Sequence, residues 1–235
     1  MVWRKPTTFR VRAPNSPISW QTDQTMANPP PATGARLMLV FTVTPALDPR
    51  TVEAAVRAGD VACVVLRAPV GEKLDAARLA EIAGAAQRHD AAVLLEGSEG
   101  LVAAAGLDGV HVAAGPALDS MLRLLKPAAI VGAGGLVTRH EAMVAGESGA
   151  DYVAFGALAP EAGDFFRVRD LVEWWAELFE VPCVGVASTL DEVAALAEAG
   201  ADFVALSEAL LTSGEGAAKV VSAAQARLAT SDDAQ

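Results

Sequence analysis

Four times along this chain a helix-like stretch ends in a small residue or glycine, then an aspartate, then a short apolar run. The copies are Ala58-Gly59-Asp60 into 61–66, Gly106-Leu107-Asp108 into 109–112, Gly149-Ala150-Asp151 into 152–155 and Gly200-Ala201-Asp202 into 203–206. Successive glycines lie 47, 43 and 51 residues apart. A glycine that closes a helix takes the left-handed conformation and turns the chain out of it. The apolar run that follows reads as a strand buried on both faces of a parallel sheet. Each copy therefore spans two strand–helix units, and eight such units occupy about 250 residues in a (β/α)8 barrel.

The rest of the chain keeps this alternation from Leu37 onward. Strands are expected at 37–43, 61–66, 91–95, 109–112, 128–132, 151–155, 182–186 and 202–206. Helices are expected at 49–58, 74–89, 98–105, 117–125, 139–148, 168–179, 190–199 and 216–229. Thr138 with Glu141 makes a capping-box pattern, and Ser188 or Thr189 precedes the acidic turn Asp191-Glu192. The expected architecture is a single-domain α/β TIM barrel over residues 36–230, with a tail at 231–235. An open doubly wound sheet is the competing fold, but no Gly-x-Gly-x-x-Gly follows the first strand. Residues 1–35 carry six of the 13 prolines and are expected to be a disordered N-terminal extension. Their Arg/Ser/Thr-rich, acid-poor composition superficially resembles a transit peptide, and a start at Met26 is the simpler alternative.

Charge limits the partners. The first 35 residues hold four basic and one acidic residue, so 14 basic and 28 acidic residues remain in the body, a net −14. Such a body repels nucleic acid and anionic membranes, and a phosphorylated ligand needs a locally positive or amide-lined site. No apolar stretch reaches the roughly 18–20 residues that cross a bilayer. Cys63 and Cys183 fall in expected strands and are expected to be free thiols of a reducing compartment. A cytoplasmic location follows as the expectation.

Active groups of a barrel of this type lie at the C-terminal ends of its strands. Arg67 ends the second strand and offers a planar fork to phosphate or carboxylate. Its alternative partner is Glu96, which ends the third. His111 lies in the fourth strand, as a base or hydrogen-bond donor, or as a buried histidine satisfied by its neighbours. Glu96 and His111 on adjacent strands also form a candidate acid–base pair. Glu96 alone is a poor metal site, because hard cations gather several oxygen ligands. The turn containing Gly134 and Gly135 precedes a helix and presents amides to an anion. The usual phosphate site of such barrels, after strands 7 and 8, falls on Ala187, Ser188, Thr189 and Ser207.

These elements resemble thiamine phosphate synthase and its relative, the TenI thiazole tautomerase. The likeness is carried by Leu37–Val43, Val65-Leu66-Arg67, Asp108-Gly109-Val110-His111-Val112, Val181-Pro182-Cys183-Val184 and Gly200–Ala205. Its most specific element is Gly149-Ala150-Asp151-Tyr152-Val153-Ala154-Phe155-Gly156. The resemblance implies a barrel that joins a pyrimidine pyrophosphate to a thiazole phosphate, with magnesium and release of pyrophosphate. It also implies a possible homo-oligomer. Several family positions are replaced. The Gln-Leu-Arg-Glu-Lys motif survives as Leu66-Arg67, with its glutamine at Val65 and its lysine at Pro69. The two magnesium aspartates fall on Gly97 and Pro116, so no cofactor is expected with certainty. The Ser-Thr-His loop falls on Gly134-Gly135-Leu136, the Pro-Thr-x-Thr loop on 159–162, and the Gly-Gly-Ile turn on Ala187-Ser188-Thr189. The expected function is that of a thiamine phosphate synthase-like protein acting on a small phosphorylated molecule. The alternatives are a non-catalytic phosphate- or thiazole-binding or regulatory barrel, and a different TenI-like reaction.

Overall fold

The computed structural model describes residues 34–69, 71–97, 99–158, 164–214 and 216–232. The expected disorder at 1–35 and the segment matched to the Pro-Thr-x-Thr loop lie almost wholly outside these residues. The order is β1 (Arg36–Thr42), α1 (Pro49–Val56), β2 (Val61–Arg67), α2 (Ala76–Gln87), β3 (Ala92–Glu96), β4 (Gly109–Ala113) and α3 (Pro116–Leu125). Then come β5 (Ile130–Leu136), α4 (Arg139–Glu147), β6 (Tyr152–Phe155), α5 (Phe165–Leu178), β7 (Cys183–Ala187) and α6 (Leu190–Glu198). The chain ends with β8 (Phe203–Leu206), α7 (Glu208–Leu211) and α8 (Ala217–Asp232). Each strand pairs in parallel with the next, and β1 pairs with β8 to close the barrel.

Strand side chains alternate between two cores, as a period of two requires. Leu37, Leu39, Val64, Leu66, Val93 and Leu95 face the helices. Met38, Val40, Val65, Leu94, Val184 and Phe203 fill the barrel interior. Cys63 and Cys183 are buried, and neither is in a disulfide.

The repeated aspartates act at the N-terminal face of the barrel. Each precedes an even-numbered strand and fastens the odd-numbered strand before it. The carboxylate of Asp108 accepts from the Val93 amide of β3, that of Asp151 from the Val131 amide of β5, and that of Asp202 from the Cys183 amide of β7. Asp60 instead pairs with the Arg36 side chain at the start of β1. The glycine before three of them is left-handed, with φ of 66° at Gly106, 93° at Gly149 and 92° at Gly200. Gly59 departs from that expectation. A Cβ there would press on Gln225 and Val221 of α8, so close helix approach is what requires the glycine.

Other expectations need correction. The helix read at 98–105 is a single 3-10 turn, Glu99–Leu101, followed by turns. Eight residues containing Gly100 are too few to offset helix nucleation without strong packing. Gly134 and Gly135 do not form a turn after β5 but lie within it. Helix α8 continues to Asp232, into the expected tail. The short α7 directly after β8 is an element that the sequence pattern did not suggest.

Candidate functional site at the barrel mouth

Strand register places a row of inward-facing residues across more than half the barrel. Thr42 lies beside Arg67, Glu96 beside His111, His111 beside Gly132, and Gly132 beside Tyr152. Thr42, Arg67 and Glu96 end their strands, whereas Tyr152 opens β6, so the row descends from the mouth into the interior.

Arg67 and Glu96 meet as the sequence suggested: Nε donates to Oε2 at 2.5 Å. The guanidinium also approaches the Leu158 carbonyl at 3.5 Å. Both side chains remain partly exposed.

His111 is buried, and its Nδ1 lies 2.7 Å from the Tyr152 hydroxyl. The two rings stack with centroids 5.8 Å apart. Burial, and secondarily the positive charge of Arg67, hold the imidazole pKa down at about 4. It is neutral near pH 7. Burial also pushes the Tyr152 phenol well above its ordinary value. Alternate glycines of β5 make room for both rings. A Cβ on Gly132 would overlap the Tyr152 ring, and one on Gly134 would overlap Nε2 of His111. These glycines thus serve ring packing within a strand. The cap of the following helix is Thr138, not the glycine pair.

The residues expected to hold phosphate after β7 and β8 are brought together, but most of their amides are engaged. Thr189 caps α6, and the Glu192 carboxylate accepts from the Ser188 amide at 2.6 Å and the Thr189 amide at 3.3 Å. The Ser207 amide donates to the Ala187 carbonyl at 3.0 Å, and its hydroxyl caps α7. Ala187 is the buried last residue of β7. Next to this nest a small cleft, open to solvent, is lined by Gly156, Phe165, Val186, Ser188 and Glu192 among others.

One contact of the mouth escaped the sequence reading. Glu208 Oε2 accepts from the Thr42 hydroxyl at 2.6 Å, and Oε1 from the Thr42 amide at 3.2 Å. A glutamate following a strand reads locally as a first-turn acid, and its partner lies 166 residues away in sequence. His89 pairs with Glu53 at 3.0 Å, and His140 is exposed on α4, both away from the mouth row. Among the described residues, no group of three or more His, Cys, Asp or Glu is placed to hold a metal ion. No described helix is long and apolar enough to cross a membrane.

Comparison with known proteins agrees with this fold. Residues 39–210 match the thiamine monophosphate synthase family profile. The chain is 40% identical to the thiamine-phosphate synthase of Rhodospirillum centenum over 184 residues, which cover 74% of this chain and 88% of that protein. It is 38% identical to the thiamine-phosphate synthase of Erythrobacter litoralis, covering 72% of this chain and 84% of that one. The thiamine phosphate pyrophosphorylase structure from Pyrococcus furiosus shares the fold with a TM-score of 0.67 and 18% identity, covering 83% of this chain and 96% of that one. The chain belongs to the thiamine monophosphate synthase family.

Proposed function

We propose that this chain is a transferase of the thiamine phosphate synthase type, taking phosphorylated ligands at the C-terminal mouth of the barrel. The supporting observation is Arg67: a guanidinium at the end of β2, partly exposed at the barrel mouth and paired with Glu96. Within that reading, Arg67 binds the departing pyrophosphate, and Glu96 orients the guanidinium until the anion arrives. Charge stabilisation of a leaving group is usually a dominant part of such a rate enhancement.

Magnesium fits these residues poorly. The positions matching the family's two aspartates are Gly97 and Pro116, neither with a side-chain oxygen. The nearby carboxylates are already bonded, Glu96 to Arg67 and Glu208 to Thr42. A second reading, binding without turnover, is supported by those same positions, since Gly97 and Pro116 offer no side-chain oxygen to the ion that the family reaction uses.

The test supplies purified protein with pyrimidine pyrophosphate, thiazole phosphate and magnesium and reads thiamine phosphate as thiochrome fluorescence. Product above a no-enzyme control supports the synthase reading, and Arg67→Ala then lowers kcat/KM by about 10²–10³-fold. Full activity in Arg67→Ala removes the assigned role. No product beside a working synthase, with thiazole phosphate binding by calorimetry, selects the second reading.

A further inference from the structure

Inside this largely apolar barrel, the hydroxyl of the fully buried Tyr152 has one hydrogen-bond partner among the described residues, Nδ1 of His111. A phenol carries one proton to donate. Burial keeps that proton on the oxygen. Left without an acceptor, such a donor is costly in the interior. The hydroxyl finds an acceptor only if Nδ1 is the bare nitrogen. A neutral imidazole holds a single N–H, which must then sit on Nε2.

Nε2 has a different outlook. It lies against Gly134, where a Cβ would overlap it. No hydrogen-bond partner to it exists among the described residues, yet none of their fully buried side-chain nitrogens or oxygens lacks one. Nε2 is therefore not completely enclosed, although His111 as a whole is buried, and it lies on the same register level as Glu96 at the mouth.

We propose that Tyr152 is a positioning residue: its hydroxyl fixes His111 as the Nε2–H tautomer, so that His111 faces the barrel mouth as a hydrogen-bond donor and not as a base. The ligand group that suits it is an acceptor, such as a ring nitrogen, a carbonyl or a phosphate oxygen, lying beside Gly134. This deepens the reading of the mouth as the ligand site and replaces the Glu96–His111 acid–base pair. Its test is made on ligand-free protein, so its failure is distinct from a failure of the synthase assay.

Long-range proton–nitrogen NMR of uniformly labelled protein resolves the tautomer of each of the three histidines. His111 is assigned by the signals that vanish in His111→Gln. The expected result at neutral pH is a protonated Nε2 and a bare Nδ1 for His111. In Tyr152→Phe the acceptor role of Nδ1 is gone, and a population with the proton on Nδ1 appears. A wild-type His111 carrying its proton on Nδ1, or carrying two protons, overturns the proposal. So does an unchanged tautomer in a folded Tyr152→Phe protein. If Tyr152→Phe does not fold, the wild-type spectrum still decides the tautomer.

Discussion

His111 shows how a single buried residue ties the fold to pH. Its pKa in the folded chain, about 4, lies below the 6.5 of a free imidazole, with burial the main cause. As pH falls, the unfolded chain takes up this proton before the folded one does. The contribution of a neutral His111 is thus intact above about pH 6.5 and is lost toward about pH 4, with roughly 2 kcal/mol gone at about pH 5. Urea midpoints of wild type and His111→Gln at neutral and mildly acidic pH check this, and parallel pH slopes would refute it. The aspartates of the repeat differ from one another at the same scale. Asp108→Ala leaves the Val93 amide without its acceptor at a buried strand and is expected to cost about 1–3 kcal/mol. Asp60→Ala breaks an exposed ion pair with Arg36 and is expected to cost about 1 kcal/mol or less. Urea denaturation of the two variants side by side separates them.

At the scale of elements, β5 is the unusual strand. Its sequence, Ile-Val-Gly-Ala-Gly-Gly-Leu, is poor in side chains because its neighbours overfill its inward face. His111 from β4 and Tyr152 from β6 lie over Gly132 and Gly134. Gly134→Ala therefore drives a methyl into the imidazole and is expected to cost about 1–3 kcal/mol, with a displaced His111 signal in NMR spectra. An unperturbed signal would show that the imidazole does not lie against Gly134. Helix α6 presents the opposite case: a start at Ser188 or Thr189 before an acidic turn was readable locally, and the structure makes Thr189 and Glu192 its capping box. Thr189→Ala is expected to cost about 1 kcal/mol, measured as a lower thermal midpoint. That box also explains the altered outlook for the phosphate site. The spacing that starts the helix brings a carboxylate onto the amides an anion would use.

The whole molecule carries a net charge of −11. Self-repulsion of this size destabilises the compact state and is screened within roughly 10 Å at 0.1 M salt. The thermal midpoint is expected to rise with sodium chloride from low to moderate concentration. A flat or falling midpoint would mean that the surface pairs, such as Arg227 with Asp191, outweigh the general repulsion. Barrel closure leaves the sheet without an open edge, because β1 is bonded to both β2 and β8.

What the sequence determined by itself is the architecture. The spacing of Gly-x-Asp, the apolar runs and the caps are local signals, and eight repeats of one unit leave few ways to bury them. Arg67 and Glu96 were legible as neighbours for the same reason, since both end adjacent strands. Only the tertiary structure decided the state of the site. Whether an amide is free depends on what reaches it: Glu192 folds back on Ser188 and Thr189, and the Ala187 carbonyl takes up the Ser207 amide. Whether a glycine is a loop or a socket depends on the side chains of the strands beside it, as at Gly134. The Thr42–Glu208 contact joins the two ends of the sequence. These facts arise from the barrel's closure and stagger, which bring together residues whose local sequence carries no sign of one another.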